Sequence, residues 1–193
     1  MWFFFLKIEK MVKKLCKDIH RLTMDVTPTP ISTANENNKE NYSGKEKDHV
    51  FKSQIILNID NKLILDIFVS NGKNHDFNIF KKFLSIKENK DIIKNSNVLN
   101  VDLGYIGISF YYQNVLIPFK SSKNIILTED KKQFNKKVRS ERAPAEHINR
   151  FIKGKYQSFK FIFRRSFDSF KNFTNIIKNI YNYELLNDLC NFY

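Results

Sequence analysis

The sequence predicts a mixed α/β fold in which a sheet is followed by helices that pack against it. Three observations carry this expectation. β-rich runs crowd the segment 20–70, helical spacing of apolar residues dominates after residue 128, and the connecting stretches are rich in turn formers. With 193 residues, 42% of them hydrophobic and 19 of them Phe, the chain is long enough to bury one substantial core.

The elements follow in order. The opening WFFFL is too short to span a bilayer and is soon followed by Lys7 and Glu9. It also lacks a signal peptide's basic start and small-residue cleavage site, so residues 1–20 read as a short helix or an untidy start, with no export and no membrane partner. HRLTMDVTPTPI (20–31) is the first strand, and its prolines at 28 and 30 are expected to end regular pairing after Val26. The polar stretch 32–49 reads as a mobile loop. VFKSQIILNID (50–60) and KLILDIFVS (62–70) form a hairpin around Asn61, and FNIFKKFLSI (77–86) has helical spacing. NVLNVDLGYIGI (97–108) and NVLIPF (114–119) are two further strands. Thr128 then stands as an N-cap ahead of Glu129 and Asp130. Pro144 is expected to restart the chain into a second helix with Ile148, Phe151, Ile152, Tyr156 and Phe159 on its apolar face, and 160–193 reads as helical.

Lys, Asn, Ile and Phe dominate, as an AT-rich codon bias alone would produce, yet the net charge is +13. From Tyr105 onward there are 16 Lys or Arg against 7 Asp or Glu, so the excess sits mainly in the C-terminal half. Such a balance favours a polyanionic partner and says nothing of fold. Cys16 and Cys190 have no metal-ligand spacing and suggest a reducing compartment. His75 and His147 lack partners at helical spacing, which argues against zinc, and no Ser/His/Asp or Cys/His arrangement stands out.

The acids are more informative. Asp25 lies inside an apolar strand, Asp102 ends another, and Glu146 falls on a polar helical stripe with Arg150, Lys153 and Gln157. A carboxylate in an apolar strand is costly unless it is paired or bound to metal. Three carboxylates from two strands and a helix suit Mg²⁺ or Mn²⁺, which prefer oxygen ligands and serve phosphoryl transfer. Taken singly, each also has a plain structural reading: a strand-end acid, a turn former before Gly104 and a helix-start charge.

Four segments change that balance: MDVTPTPI (24–31), the run from YSGKEKDH (42–49) through VSNGKNHDFNIF (69–80), NVDLGYIGI (100–108), and LIPF to APAEH (116–147). In order and spacing, residues 20–185 resemble the catalytic domain of DDE-type transposases of bacterial insertion sequences, also described as DDE superfamily endonucleases. Arg142, Glu146 and Lys153 match that family's Arg-x3-Glu-x6-Lys pattern, and Asp102, Gly104 and Tyr105 match its Asp-x-Gly-Tyr. The resemblance implies a ribonuclease H-like mixed sheet flanked by helices, in a catalytic domain spanning 21–185 with a short tail, 186–193, after it. It implies metal-dependent cleavage and joining of DNA strands. Asp25, Asp102 and Glu146 would be the catalytic acids and the ligands of Mg²⁺ or Mn²⁺. Asp76 is the rival for the second position, with an N-cap role as its plain alternative.

Arg142, Arg150 and Lys153, together with Lys45, Lys47 and His49, are the candidate contacts to DNA phosphates. Transposon ends and target DNA are the implied partners, with self-association in a synaptic complex and a cytoplasmic, nucleoid-associated location in a bacterium. The sequence departs from the family in three places: no helix-turn-helix precedes the domain, Asp48 stands where a basic residue is usual, and the likeness loosens after Lys153. The expectation is an N-terminally truncated copy. A catalytically inactive DNA-binding remnant and a nuclease without strand transfer are its alternatives.

Overall fold

The computed structural model describes residues 2–15, 19–32, 38–122 and 126–190; Cys16 and the last three residues of the C-terminal tail lie outside them. The chain runs α1 (Trp2–Leu15), β1 (Ile19–Pro30), α2 (Asn38–Asn41), β2 (Tyr42–Ser43), β3 (Asp48–Asn58), β4 (Ile64–Asn71), α3 (Asp76–Leu84) and α4 (Lys87–Lys94). It continues with β5 (Ser96–Asn100), β6 (Val115–Leu116), α5 (Glu129–Lys155) and α6 (Phe167–Cys190).

β3 pairs with β1 on one side and with β4 and the short β2 on the other, all antiparallel. β1 continues the sheet to β5 and β6 in parallel. This is the mixed sheet flanked by helices expected of a ribonuclease H-like α/β fold. Side-chain alternation sends Leu22, Met24 and Ile56 toward α3 and α4, where Phe80, Phe83, Leu99 and Tyr105 close one core. Ile55, Leu57, Ile67 and Val69 face the other way, onto Ala145, Ile148 and Ile152 of α5 and Phe170 and Ile177 of α6. Full burial of one such Leu, Ile or Phe contributes about 1.5–3 kcal/mol. Much of the Phe content is used here, since Phe159, Phe163 and Phe170 stack edge to face at the turn into α6. Among the described residues no helix is long and apolar enough to cross a membrane.

The structure corrects the sequence reading at several points. β1 does not end at Val26, because Pro28 and Pro30 stay in register with Lys52 and Val50. Ile31 donates its N–H to His49, so alternate residues of β1 face β3 and the two prolines aim their missing donors at the opposite edge. On that edge Pro30 still accepts from the Phe163 N–H.

The stretch 32–49 is not simply a loop. It carries α2 and β2, and Tyr42 and Ser43 pair with His49 and Asp48. The third correction concerns β5 and β6, which are shorter than predicted. Asp102 caps a 3-10 turn at Leu103–Tyr105, a second turn follows at Ile108–Phe110, and only Val115–Leu116 rejoins the sheet.

Pro144, finally, does not restart a helix: α5 runs unbroken through it for 27 residues. A proline inside a helix costs about 3 kcal/mol, through a lost hydrogen bond and a clash with the carbonyl four residues back. Buried Val138 precedes the proline, and Ala145, Ile148, Asn149 and Ile152 follow it on the packed side of α5. Packing on both sides offsets that cost. Phe151, expected on the apolar face, is 44% exposed.

Candidate active site

The pairing of β1 with β5 positions the first two acids. Their last parallel pair is Thr23 with Asn100, so Asp25 and Asp102 each lie two residues beyond it, where the charge of Asp102 acts on Asp25. Asp25 shares the sheet face of buried Thr23 and Thr27, the face that α5 covers. From α5, Asn149 Nδ2 donates to Asp25 Oδ2 at 2.5 Å and Arg142 Nη2 lies 3.5 Å from Oδ1. The same guanidinium is 4.0 Å from Glu146 Oε1, one helical turn further on. Glu146 is thus a mid-helix residue with a partly exposed side chain, and not a helix-start charge.

Burial raises the Asp25 carboxyl to about 6, against the downward pull of Arg142 and the Asn149 hydrogen bond. The negative charges of Asp102 and Glu146 push it in the same upward direction. Both of the other acids named by the sequence pattern therefore act electrostatically on Asp25.

Asp102 caps its turn, with Oδ1 accepting from the Gly104 N–H at 2.8 Å. Asp76 is not an N-cap. His75 holds that position and Asp76 is the first residue of α3, where a negative charge favours the helix. Its carboxylate approaches Asp102 across Gly104. A Cβ at Gly104 would lie 2.6 Å from Asp76 Oδ2 and 3.0 Å from Asp102 Oδ1. Asp76 and Asp102 are therefore neighbours as well as rivals.

Burial raises the Asp76 carboxyl, countered first by Lys52, whose Nζ is 3.9 Å from Oδ1. Lys52 also donates to the Asn74 carbonyl at 2.7 Å, and burial lowers its own pKa. Beneath the acids lies fully buried Tyr105, its hydroxyl donating to Gln54 Oε1 at 3.1 Å. Burial, and then the charges of Asp76, Asp102 and Asp25, push that phenol well above its usual value.

The remaining candidates form a looser ring. Lys153 is half-buried beside Pro28 and Pro30, lowered by burial and held up by Glu46 and Asp25. Arg150 is exposed on α5, and Lys45 and Lys47 are exposed in the turn between β2 and β3. Of these two, Lys45 acts on Asp76 and Lys52. His49 belongs to β3, with its ring 5.4 Å from that of Tyr42.

Sequence reasoning missed Lys52 and Asn149. Each had a signal: a lysine inside the β-rich run that begins at Val50, and a polar residue between Ile148 and Ile152 on the packed side of α5.

The donor set is all carboxylate oxygen, and that chemistry fits a hard divalent cation. Two buried polar atoms beside Asp25, Arg142 Nε and Asn149 Oδ1, have no protein partner, so the site has polar capacity to spare. In the present arrangement, among the described residues, no three acids stand close enough to share one ion. Arg142 and Lys52 instead supply the neutralising charge. Gly104 then matters for positioning. Because the obstructing atoms are the ends of side chains, Gly104→Ala is expected to change stability by less than ~1 kcal/mol while displacing both carboxylates. Any metal-dependent activity should fall ~10–100-fold, checked by thermal melts beside activity assays.

Comparison with known proteins gives two results. Residues 24–182 match the family described as DDE superfamily endonuclease. The chain is 30% identical over 179 residues to a protein of Microchaete diplosiphon named as the probable transposase for insertion sequence element IS702. That alignment covers 92% of this chain and 62% of the relative, so the chain spans less than two thirds of the relative's length. No solved structure matches.

Proposed function

The chain belongs to the DDE superfamily endonucleases, and from that footing we propose that it cleaves phosphodiester bonds in DNA with a divalent cation held by Asp25, Asp102 and Glu146. The observation that carries this reading is the setting of Asp25. Its carboxyl is mostly buried and raised to about 6, with burial as the main cause and the charges of the other two acids of the pattern contributing. Holding a carboxylate in that setting costs stability, and a Mg²⁺ or Mn²⁺ site would account for the cost. When bound, the cation supplies charge neutralisation at the phosphate and activation of the attacking oxygen.

The chain's own residues do the rest. Asn149 and Arg142 orient Asp25, the Gly104 N–H fixes one oxygen of Asp102, and Lys52 holds Asp76 against the pair. Arg150, Lys153, Lys45, Lys47 and His49 track the phosphate backbone of the DNA. In the full reaction of an insertion-sequence transposase, attack of water on phosphorus forms one P–O bond as the bond to the departing 3′-oxygen breaks. The freed 3′-hydroxyl then attacks target DNA in the same way. Domain limits of 21–185, synaptic self-association and a cytoplasmic, nucleoid-associated site of action belong to this proposal. Because the cations outnumber the acids, duplex affinity is expected to fall steeply between 50 and 200 mM salt, on the order of 10³-fold for about six phosphate contacts, read by fluorescence anisotropy.

One observation favours a second reading, a DNA-binding remnant without activity: Arg142 lies between Asp25 and Glu146, where it competes with a cation. Labelled duplex DNA incubated with Mg²⁺ or Mn²⁺ separates the two. Nicking that needs the metal and disappears in Asp102→Asn supports the enzyme. DNA binding with no nicking at any metal concentration supports the remnant.

A further inference from the structure

From Leu103 to Phe119 the sequence contains no charged residue, in a chain that is 27% charged. This segment leaves the candidate site directly, since Leu103 follows Asp102, and it is held rigidly. Tyr105 and Ile108 are fully buried, and the Tyr112 hydroxyl donates to the Ser96 carbonyl. Two consecutive 3-10 turns are joined at Gly107, whose φ of 100° lies in the left-handed region that disfavours a side chain.

What these anchors present outward is apolar: Phe110 is 91% exposed, and Ile106 and Tyr111 are each 57% exposed. The Tyr111 ring stands 5.7 Å from Phe77, which follows Asp76 in the sequence and also abuts Gly107. Exposed Lys81 lies 5.0 Å above the other end of this cluster, over the Phe77 ring. The result is a stiff aromatic surface with a cation at its rim, beside the acids.

Such a surface is unfavourable in water unless something covers it. A second copy of the chain would bring another net charge of +13 to a patch edged by lysine, whereas a nucleic-acid strand brings negative phosphates together with apolar base faces. We propose that the loop carrying Phe110 and Tyr111 is a stacking platform for an unpaired nucleobase of the DNA bound at the acids. The proposal rests on the reading of the site as a DNA-cleaving centre. It adds a preference for distorted or single-stranded DNA, because a base must leave its helical stack to reach the rings.

The test uses the full chain in EDTA, with a single-stranded oligonucleotide that carries 2-aminopurine at successive positions. Anisotropy reports affinity and 2-aminopurine fluorescence reports stacking. Phe110→Ala and Tyr111→Ala are expected to weaken binding ~10-fold each, to abolish the position-specific fluorescence change and to leave the salt slope unchanged, while Phe110→Trp retains both signals. Wild-type affinity and fluorescence in both alanine variants would overturn the proposal. So would variants that alter only the oligomeric state by light scattering, which would make the patch a contact between copies. A wild-type chain that stacks the probe but never nicks DNA would remove the catalytic reading and leave the platform standing.

Discussion

Asp25→Asn is expected to abolish metal-dependent nicking, by on the order of 10³-fold or more, and at the same time to make the metal-free protein more stable at neutral pH. The gain follows from linkage. A carboxyl raised from 3.8 to about 6 on folding binds its proton more tightly in the folded state, so its ionisation opposes folding. The cost is absent below the unfolded value of 3.8, grows through the interval and is complete above about 6. A shift of roughly two units corresponds to about 3 kcal/mol, already net of the Arg142 attraction, and an Asn realises only part of that gain because its single amide oxygen must serve both Asn149 and Arg142. A net stabilisation of about 1–2 kcal/mol at pH 7.5, vanishing near pH 4, is the expected result in urea melts with EDTA. A variant that loses activity while losing stability at pH 7.5 would mean that Asp25 is a structural acid.

Asn182→Leu should produce the largest loss of stability. Asn182 projects from α6 to the start of β4, where its Oδ1 accepts from the Ile64 N–H at 2.9 Å and its Nδ2 donates to the Ile64 carbonyl at 2.8 Å. Both residues are fully or almost fully buried, so leucine would leave a backbone donor and acceptor unpaired inside the core. Each such group costs about 1–3 kcal/mol, which puts the substitution at roughly 3 kcal/mol or more. Because Asn182 holds the Ile64 backbone and not the acids, nicking by the protein that remains folded should be unchanged per mole. Denaturant melts and activity corrected for folded fraction check both halves.

Much of this architecture was legible because its signals are local. β-rich runs bounded by turn formers gave β1, β3 and β4, the spacing of Ile79, Phe80 and Phe83 gave α3, and a carboxylate in an apolar strand marked Asp25. Other features depend on partners distant in sequence. Pro144 reads as a helix start until Ala145 and Ile148 are seen packing on the sheet, and Pro28 and Pro30 read as strand breakers until their free edge is known. The pairing of Asp76 with Asp102 across Gly104 could not be inferred from the NGKNHD turn, because it requires α3 to dock against the turn after β5. Asn149 was hidden by its helix, since its role appears only when α5 crosses β1.

The site also shows tension between stability and chemistry. Asp25, Asp76 and Tyr105 all have protonation shifted upward by burial, and Arg142 and Lys52 relieve the strain without removing it. Cation binding is expected to relieve it further. The most direct measurement is therefore Mn²⁺ binding by electron paramagnetic resonance at pH 7.5 for the wild type, Asp25→Asn, Asp102→Asn and Glu146→Gln. Saturable binding by the wild type, weakened at least ~10-fold in each variant that remains folded, is the predicted result. A wild-type chain with no saturable binding, or three variants with wild-type affinity, would contradict the assignment of these acids as a metal centre.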